Sequence, residues 1–569
     1  MNNFDILNNY RSRRSIVYSK NGMIACSQPL ACQAGLNIFR QGGNAADVAI
    51  AVAAALNVTE PCSCGIGGDC FVLFYNGQSK EMFGLNGSGK SPKNLNLTKI
   101  RQMGINDKRI PLNNINSVTV PGAVDAMIQT KNLFGSSNLT LEDLFKPAID
   151  LAENGYPVSD LVAHSWAKSE DLIRNASENA HEILLNNRAP RAGEIMTMKT
   201  LAQTFRDIAK NGRDGFYKGR VGNAIVKLIQ DHHGLMTLED LEEHSTMIIQ
   251  PISVSYRNYR LWECPPNGQG LVALMAVEII KQLEKQNQIK SLETYDPLSA
   301  EYLHILIEAL RLAFSDGKYF ISDPEKIKIP IDELLSSDYL IKRIDEFRSD
   351  QIIERVEHGN PKYSSDTVYF AVTDQYGNAC SFIFSNYFGF GTGAIPKDCG
   401  FTLQNRGSNF DLDENHLNCL EGGKRPYHTI IPSMITKDND ELYACFGVMG
   451  GFMQPQGHLQ VFFNLVVHQK NVQTTLDLPR FCISSKSIEI NDDDDDDQYG
   501  RSLILFEDGF PNETIEKLQK FGHRIEIIRG VDRSIFGRGQ IIHQLFKNND
   551  YIVWAAGSDP RADGHAIPS

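Results

Sequence analysis

Apolar positions along this chain fall into helical and strand periods, separated by short polar breaks. From 23 to 75 the pattern reads strand, helix, helix, loop, strand. Gln41-Gly42-Gly43 stops the first helix, because glycine accepts the left-handed turn that ends one. Asn44 caps the second, with Asp47 in its first turn. Ala45 to Leu56 is apolar on nearly every face, which predicts a helix buried all round. A Gly65-Ile66-Gly67-Gly68 turn then feeds a strand from Cys70 to Phe74.

Thr140-x-x-Asp143 and Thr237-x-x-Asp240 have the residue pair of a capping box and predict helices over 141–154 and 238–244. Tyr302 to Phe314 has the period of an amphipathic helix. Its His304 and Glu308 sit four apart, a spacing that admits a metal pair but better fits a pairing at the surface or core edge. Residues 349–365 are polar and aperiodic and read as an exposed linker suited to cleavage. Thr367 then opens a β-branched and aromatic run. The turn Gln375-Tyr376-Gly377-Asn378 reverses it into Ala379–Ser385, which predicts a β-hairpin with Thr367 at the head of its first strand. Gly389 to Gly393 reads as a flexible loop, and Gly450-Gly451 as a turn after a strand from Tyr443 to Val448. The acidic run Asp492 to Asp497 reads as a solvated insertion.

A chain of 569 residues can bury a large core. A net charge of −13 argues against a nucleic-acid partner, since phosphate binding wants a basic surface. The 11 cysteines are irregularly spaced and read as reduced thiols rather than a disulfide framework. Cys62, Cys64 and Cys70 have no nearby histidine to complete a tetrahedral set, so no metal is expected. Residues 1–19 carry Arg11, Arg13 and Arg14 without the apolar core of a signal peptide. The most apolar stretch, 45–58, contains Asp47 and is too short to span a bilayer. A cytoplasmic location follows as the expectation, with no membrane partner.

Gly84 to Ser91 fits the phosphate-loop pattern G-x-x-x-x-G-K-[ST], but Pro92-Lys93-Asn94-Leu95-Asn96 is a poor helix to receive it, so nucleotide binding is the weaker alternative. No G-x-S-x-G elbow is present. A threonine hydroxyl is a poor nucleophile until a base takes its proton. A break between Asp366 and Thr367 would supply that base, as an α-amine titrating at about 7.7–8.0.

Asp366-Thr367-Val368-Tyr369-Phe370, followed by Asp374-x-x-Gly377-Asn378-Ala379, resembles the processing site of the γ-glutamyltranspeptidases, also called glutathione hydrolases. These are N-terminal nucleophile hydrolases. Gly42-Gly43-Asn44-Ala45, Glu60 to Gly68, Val120-Pro121-Gly122, Pro265 to Gly270 and Lys424-Arg425-Pro426 match the same family in order. The resemblance implies an α+β fold, a four-layer αββα sandwich. It implies cleavage into 1–366 and 367–569, both within one domain, and amide hydrolysis or acyl transfer through an acyl-enzyme with no cofactor. It makes Thr367 the nucleophile and Ser385 a hydroxyl that contacts it. Gly450 and Gly451 fall in the place of the oxyanion loop.

The substrate pocket departs from the family. Where relatives hold the glutamyl carboxylate with an arginine and two serines, this chain has Ser88, His428 and Thr429. Where they hold the ammonium with asparagine, glutamine and aspartate, it has Tyr387, Arg406 and Asn409. An ammonium needs acceptors, and Arg406 offers none. The pocket therefore suits a plain carboxylate or dicarboxylic acyl group. The segment Ser385 to Gly393 resembles the cephalosporin (glutaryl) acylase branch, which points the same way. The expected substrate is a small acyl amide or peptide. An unprocessed, non-catalytic scaffold is the alternative of another class.

Overall fold

A computed structural model describes residues 14–354, 367–484, 502–548 and 550–569. The hairpin sets the architecture. Val368–Thr373 pairs antiparallel with Ala379–Ser385, from Val368↔Phe384 to Thr373↔Ala379. The turn closes through the Gly377 amide on the Asp374 carbonyl, with Gly377 at φ +86°. Successive side chains of a strand face opposite ways, and here both faces are buried. Val368, Phe370 and Val372 enter one apolar core; Tyr369 and Ala371 enter another.

The hairpin lies central in a seven-stranded sheet. Its order is His565–Pro568, Met23–Cys26, Val368–Thr373, Ala379–Ser385, Asp69–Tyr75, Met82–Gly87, Met247–Ile249. A second seven-stranded sheet runs Val17–Ser19, Ile552–Ser558, Arg538–Lys547, Leu442–Met449, Ser433–Lys437, Tyr259–Glu263, Ile252–Tyr256. Tyr369 helps to join the two. Its ring lies over Gly447, where a Cβ would fall 2.6 Å from the ring carbons, so a larger residue would force the sheets apart there. Helices Pro29–Arg40, Ala45–Thr59 and Leu141–Asn154 cover the first sheet; Gly270–Lys285, Ala300–Phe320 and Met453–Val466 cover the second. The result is the expected four-layer αββα sandwich. Each sheet takes strands from both sides of residue 366.

The local signals were sound. Asn44, Thr140 and Thr237 each make a capping box, and every residue of Ala45–Thr59 is buried. Two readings are corrected. The helix Ala300–Phe320 is buried along most of its length, with His304 and Glu308 fully enclosed rather than at an edge. The segment at 389–393 is held rather than flexible: Phe390 is buried, its amide donates to the Cys62 carbonyl at 2.9 Å, and the Thr392 amide donates to the Leu403 carbonyl at 2.8 Å. Of the linker read over 349–365, Ile352 and Ile353 are buried. Residues 355–365, the Asp366 side of the expected cleavage site and the run Asp492 to Asp497 lie outside the described residues. No helix among the described residues is long and apolar enough to cross a membrane.

Candidate active site

Thr367 stands immediately before its strand and is fully buried. Its Oγ1 donates to Ser385 Oγ at 3.1 Å, and Ser385 Oγ accepts the Tyr387 amide at 2.8 Å. Ser385 is the register partner of Asp69, and on the next strand Cys70 pairs with Gly87, which places Ser88 beyond Asp69. Thr367, Ser385, Asp69 and Ser88 thus form a row across the ends of four adjacent strands. Three were expected from the sequence; Asp69 was missed. The signal was a carboxylate directly after Gly67-Gly68, at the head of an otherwise apolar strand. Both glycines permit close approach: a Cβ on Gly68 would lie 2.2 Å from the Ser385 carbonyl oxygen, and one on Gly67 would lie 2.1 Å from that of Thr402.

Asp69 organises the pocket. Its Oδ1 accepts the Gly89 amide at 3.0 Å and Gln404 Nε2 at 3.2 Å. Its Oδ2 accepts His428 Nε2 at 3.0 Å and lies 3.8 Å from Arg406 Nε. Burial pushes Asp69 up to about 7, against the pull of Arg406. Burial, with Arg406 nearby, holds His428 well below its ordinary value. The imidazole is therefore neutral, with Nε2–H donating to Asp69 and Nδ1 accepting the Ile430 amide at 3.3 Å.

Arg406 is fully buried, and burial pulls it down to about 10. Its Nη1 donates to Thr429 Oγ1 at 2.7 Å, and its guanidinium lies 4.4 Å from the centre of the Tyr387 ring. Its Nε and Nη2 have no hydrogen-bond partner among the described residues. Asn409 closes the same short helical turn, Arg406–Asn409, and both polar atoms of its amide are likewise unpartnered there. Arg406 thus touches Thr429 and Tyr387, and Asn409 lies on the same short turn. Ser88 and His428 do not join them as open ligands. Ser88 Oγ is engaged by Asn267 Nδ2 at 3.1 Å, and His428 is spent on Asp69.

Gly450 and Gly451 link the strand Leu442–Met449 to the helix Met453–Val466, with φ of +132° and +58°. Positive φ there favours glycine. Gln269 ties this turn to the pocket: its Nε2 donates to the Gly451 carbonyl at 2.8 Å and the Thr429 carbonyl at 2.6 Å, and its Oε1 accepts Tyr427 OH at 3.0 Å. Within the turn the Met453 amide donates to the Gly450 carbonyl at 3.0 Å and the Gln454 amide to the Gly451 carbonyl at 3.2 Å. Arg538 is the register partner of Met449 and donates to Ser63 Oγ, and the Ser63 carbonyl accepts the Asn386 amide. The glycine turn therefore lies at the Thr367 end of the sheets.

The phosphate-loop pattern is not a phosphate cradle. Met82–Gly87 is a strand, the next helix begins only at Leu97, the Gly89 amide is spent on Asp69, and Lys90 pairs with Glu325 at 2.7 Å.

The family model described as Gamma-glutamyltranspeptidase matches residues 31–569. The chain belongs to the γ-glutamyltranspeptidase family. It is 34% identical to the glutathione hydrolase-like YwrD proenzyme of Bacillus subtilis (strain 168), over 97% of this chain and 99% of that protein. It is 30% identical to the oxamate amidohydrolase proenzyme of Klebsiella pneumoniae, over 96% and 98%. The crystal structure of cephalosporin acylase from Bacillus halodurans superposes with a TM-score of 0.86 at 39% identity, covering 98% of each chain. The fold is that of the N-terminal nucleophile hydrolases, and the chain is a hydrolase-type enzyme of this family.

Proposed function

We propose that this chain is a self-processing threonine amidase acting on monoamides of dicarboxylic acids. Thr367 Oγ1 attacks the Asp366 carbonyl, the peptide bond shifts to an ester, and water releases residues 1–366 with a carboxylate end and 367–569 with a free α-amine. That amine then takes the proton of Oγ1 as Oγ1 attacks the substrate amide. The amides of the Gly450-Gly451 turn receive the developing oxyanion. The proton passes to the departing amine, and water cleaves the acyl ester and restores Thr367. An amine in place of water gives acyl transfer. Ser385 Oγ, which receives the Thr367 hydrogen bond, fixes the rotamer for attack.

One observation carries the substrate class. A fully buried guanidinium, with Nη2 unpartnered among the described residues, donates to Thr429 and lies 3.8 Å from Asp69, and the amide of Asn409 on the same short turn is unpartnered there too. A carboxylate satisfies those donors; the ammonium of a γ-glutamyl group would face the same cation. The names of two relatives agree, since oxamate is a dicarboxylic monoamide and cephalosporin acylases belong to the acylase branch. On a denaturing gel the wild type is expected as two fragments, the smaller beginning Thr-Val-Tyr-Phe. Thr367→Ala is expected as one band at 63.6 kDa, without activity. An active enzyme with no such fragment would refute the nucleophile. A clear preference for γ-glutamyl over glutaryl anilide would refute the acyl pocket.

A further inference from the structure

The short turn that carries Arg406 and Asn409 has a second strip of chain against it. The Leu412 amide donates to the Lys108 carbonyl at 3.0 Å, and Asn405 Nδ2 donates to the Leu112 carbonyl at 3.0 Å. Residues 108–112 therefore run antiparallel past 405–412. Ile110 shares an apolar cluster with Phe410, as that register requires. Arg109 thus stands at the level of Asn409. A bridge brings in Tyr427: Asn418 Nδ2 donates to the Asn409 carbonyl at 2.6 Å, and Asn418 Oδ1 accepts the Tyr427 amide at 2.9 Å. Arg109 is near enough to Tyr427 to act on it. Burial, with Tyr387 nearby, pushes the Tyr427 hydroxyl up, and the Arg109 charge pulls it back. Tyr387 in turn carries Arg406 over its ring. Two arginines are thus linked through two tyrosines, along one wall.

The two arginines differ in enclosure. Arg406 is fully buried and lies 3.8 Å from Asp69. Arg109 is half-buried and has no carboxylate within 4.0 Å among the described residues. The acids of these two strips, Asp107, Asp411 and Asp413, line a separate cavity of about 450 Å³ with Arg101, Lys108 and Lys318, and Arg109 does not line it. Asn409, whose amide is unpartnered among the described residues, shares a turn with Arg406 and a level with Arg109. The closed end of this wall is cationic, and its partly open end holds a cation without an ion pair. Such an arrangement attracts a second anion beyond the first.

Building on the reading of Arg406 as partner of the acyl carboxylate, we propose that Arg109 is a second specificity-determining residue of the acyl pocket, selecting acyl groups that carry two free carboxylates. Arg406 takes the terminal acid at the closed end. Arg109, with the Asn409 amide, takes an acid that branches from the acyl chain nearer the rim. The preferred substrate is then the monoamide of a tricarboxylic acid, and plain glutaryl-type amides are poorer ones.

The test uses two nitroanilides that differ by one group, glutaryl and 3-carboxyglutaryl. In wild type, kcat/KM is expected to favour the second at low salt, and the advantage is expected to shrink with added salt. Arg109→Gln is expected to lower the ratio about fivefold, the scale of a half-exposed ion pair. Arg109→Lys is expected to keep part of it, since the charge remains. Lys108→Gln, next in the chain but lining the other cavity, is expected to leave the ratio within about 1.5-fold. An unchanged ratio in Arg109→Gln, or an equal fall in Lys108→Gln, overturns the assignment while Arg406 keeps its role. A wild-type preference for butyryl over glutaryl anilide would instead overturn the acyl pocket, and this proposal with it. Equilibrium dialysis of free glutarate and free propane-1,2,3-tricarboxylate against the wild-type protein needs no turnover. Tighter binding of the tricarboxylate, lost in Arg109→Gln, supports the assignment, and equal affinities overturn it. Failure to cleave either anilide falls on the amidase reading, and the dialysis still decides the role of Arg109.

Discussion

Two buried polar clusters in this molecule look alike in composition and differ in what they leave undone. One is Asp69, Arg406, His428 and Asn409 beside Thr367. The other is His304, Glu308 and His523, whose ligand-type atoms all lie within 4.8 Å of one another. By residue type the second is the better metal site. Its bonds show otherwise. His304 contacts His523 Nε2 and the Arg348 carbonyl, both at 2.8 Å. Glu308 pairs with Arg311 at 2.8 Å and accepts the Ile353 amide at 2.8 Å. Among the described residues, none of the three leaves a fully buried nitrogen or oxygen without a partner, whereas Arg406 and Asn409 do. A closed set of partners does structural work. Here it latches residues 348–353 onto the helix Ala300–Phe320. An open set is waiting for a ligand.

The sharpest way to break this comparison is to open the closed cluster. Glu308→Ala leaves Arg311 buried without its carboxylate, and removing one member of a buried pair costs about 3–5 kcal/mol. Chemical denaturation should show that loss. Protein purified with excess zinc should bind none stoichiometrically at this cluster. A bound metal lost in Glu308→Ala would move the cluster from latch to ligand site.

The sequence showed the open cluster only in part, for a physical reason. Strand alternation and turn chemistry are local, so the hairpin, the capping boxes and the all-buried helix Ala45–Thr59 were legible residue by residue. Tyr387, Arg406, Asn409 and Thr429 were marked by their places in family motifs. Asp69 was not marked, because its role comes from non-local register. It gains meaning only when Ser385 pairs with it and when His428, far along the chain, reaches it. The same holds for His304 and Glu308. Four-residue spacing identified them as neighbours on a helix, but that they are buried against His523 depends on how distant elements pack.

A second test works on the open cluster. Arg406→Ala should lower kcat/KM for a glutaryl anilide by about 30–160-fold, the loss of about 2–3 kcal/mol for a charge-assisted hydrogen bond in a buried site. For a butyryl anilide, which has no acyl carboxylate, the loss should be far smaller. Arg406→Lys should recover part of the glutaryl activity, because it keeps the charge and loses the fork. Equal losses on both substrates would make Arg406 a packing residue, like those of the closed cluster.

The smallest effect concerns Asp69, which couples the pocket to pH. Ionised, it compensates Arg406; protonated, it leaves the guanidinium charge to the ligand. With Asp69 held near 7 by burial, KM for the glutaryl anilide should rise several-fold from pH 6 to pH 8. KM for the butyryl anilide should not, and Asp69→Asn should flatten the glutaryl profile. In the proposed cleavage the α-amine freed at Thr367 has an ordinary value of about 7.7–8.0 and would act on kcat, so the two are separable. Stability gives an independent reading with its own sign. Asp69 moves from an ordinary 3.8 to about 7 on folding, so the folded protein holds this proton more tightly. Its contribution is full below about pH 4 and is lost as pH rises through 7. The stability of wild type should therefore fall relative to Asp69→Asn between pH 5 and pH 8. A KM profile that follows pH in the same way in Asp69→Asn would place the titrating group elsewhere, and the link between the carboxylate on the nucleophile row and the cation in the acyl pocket would fail.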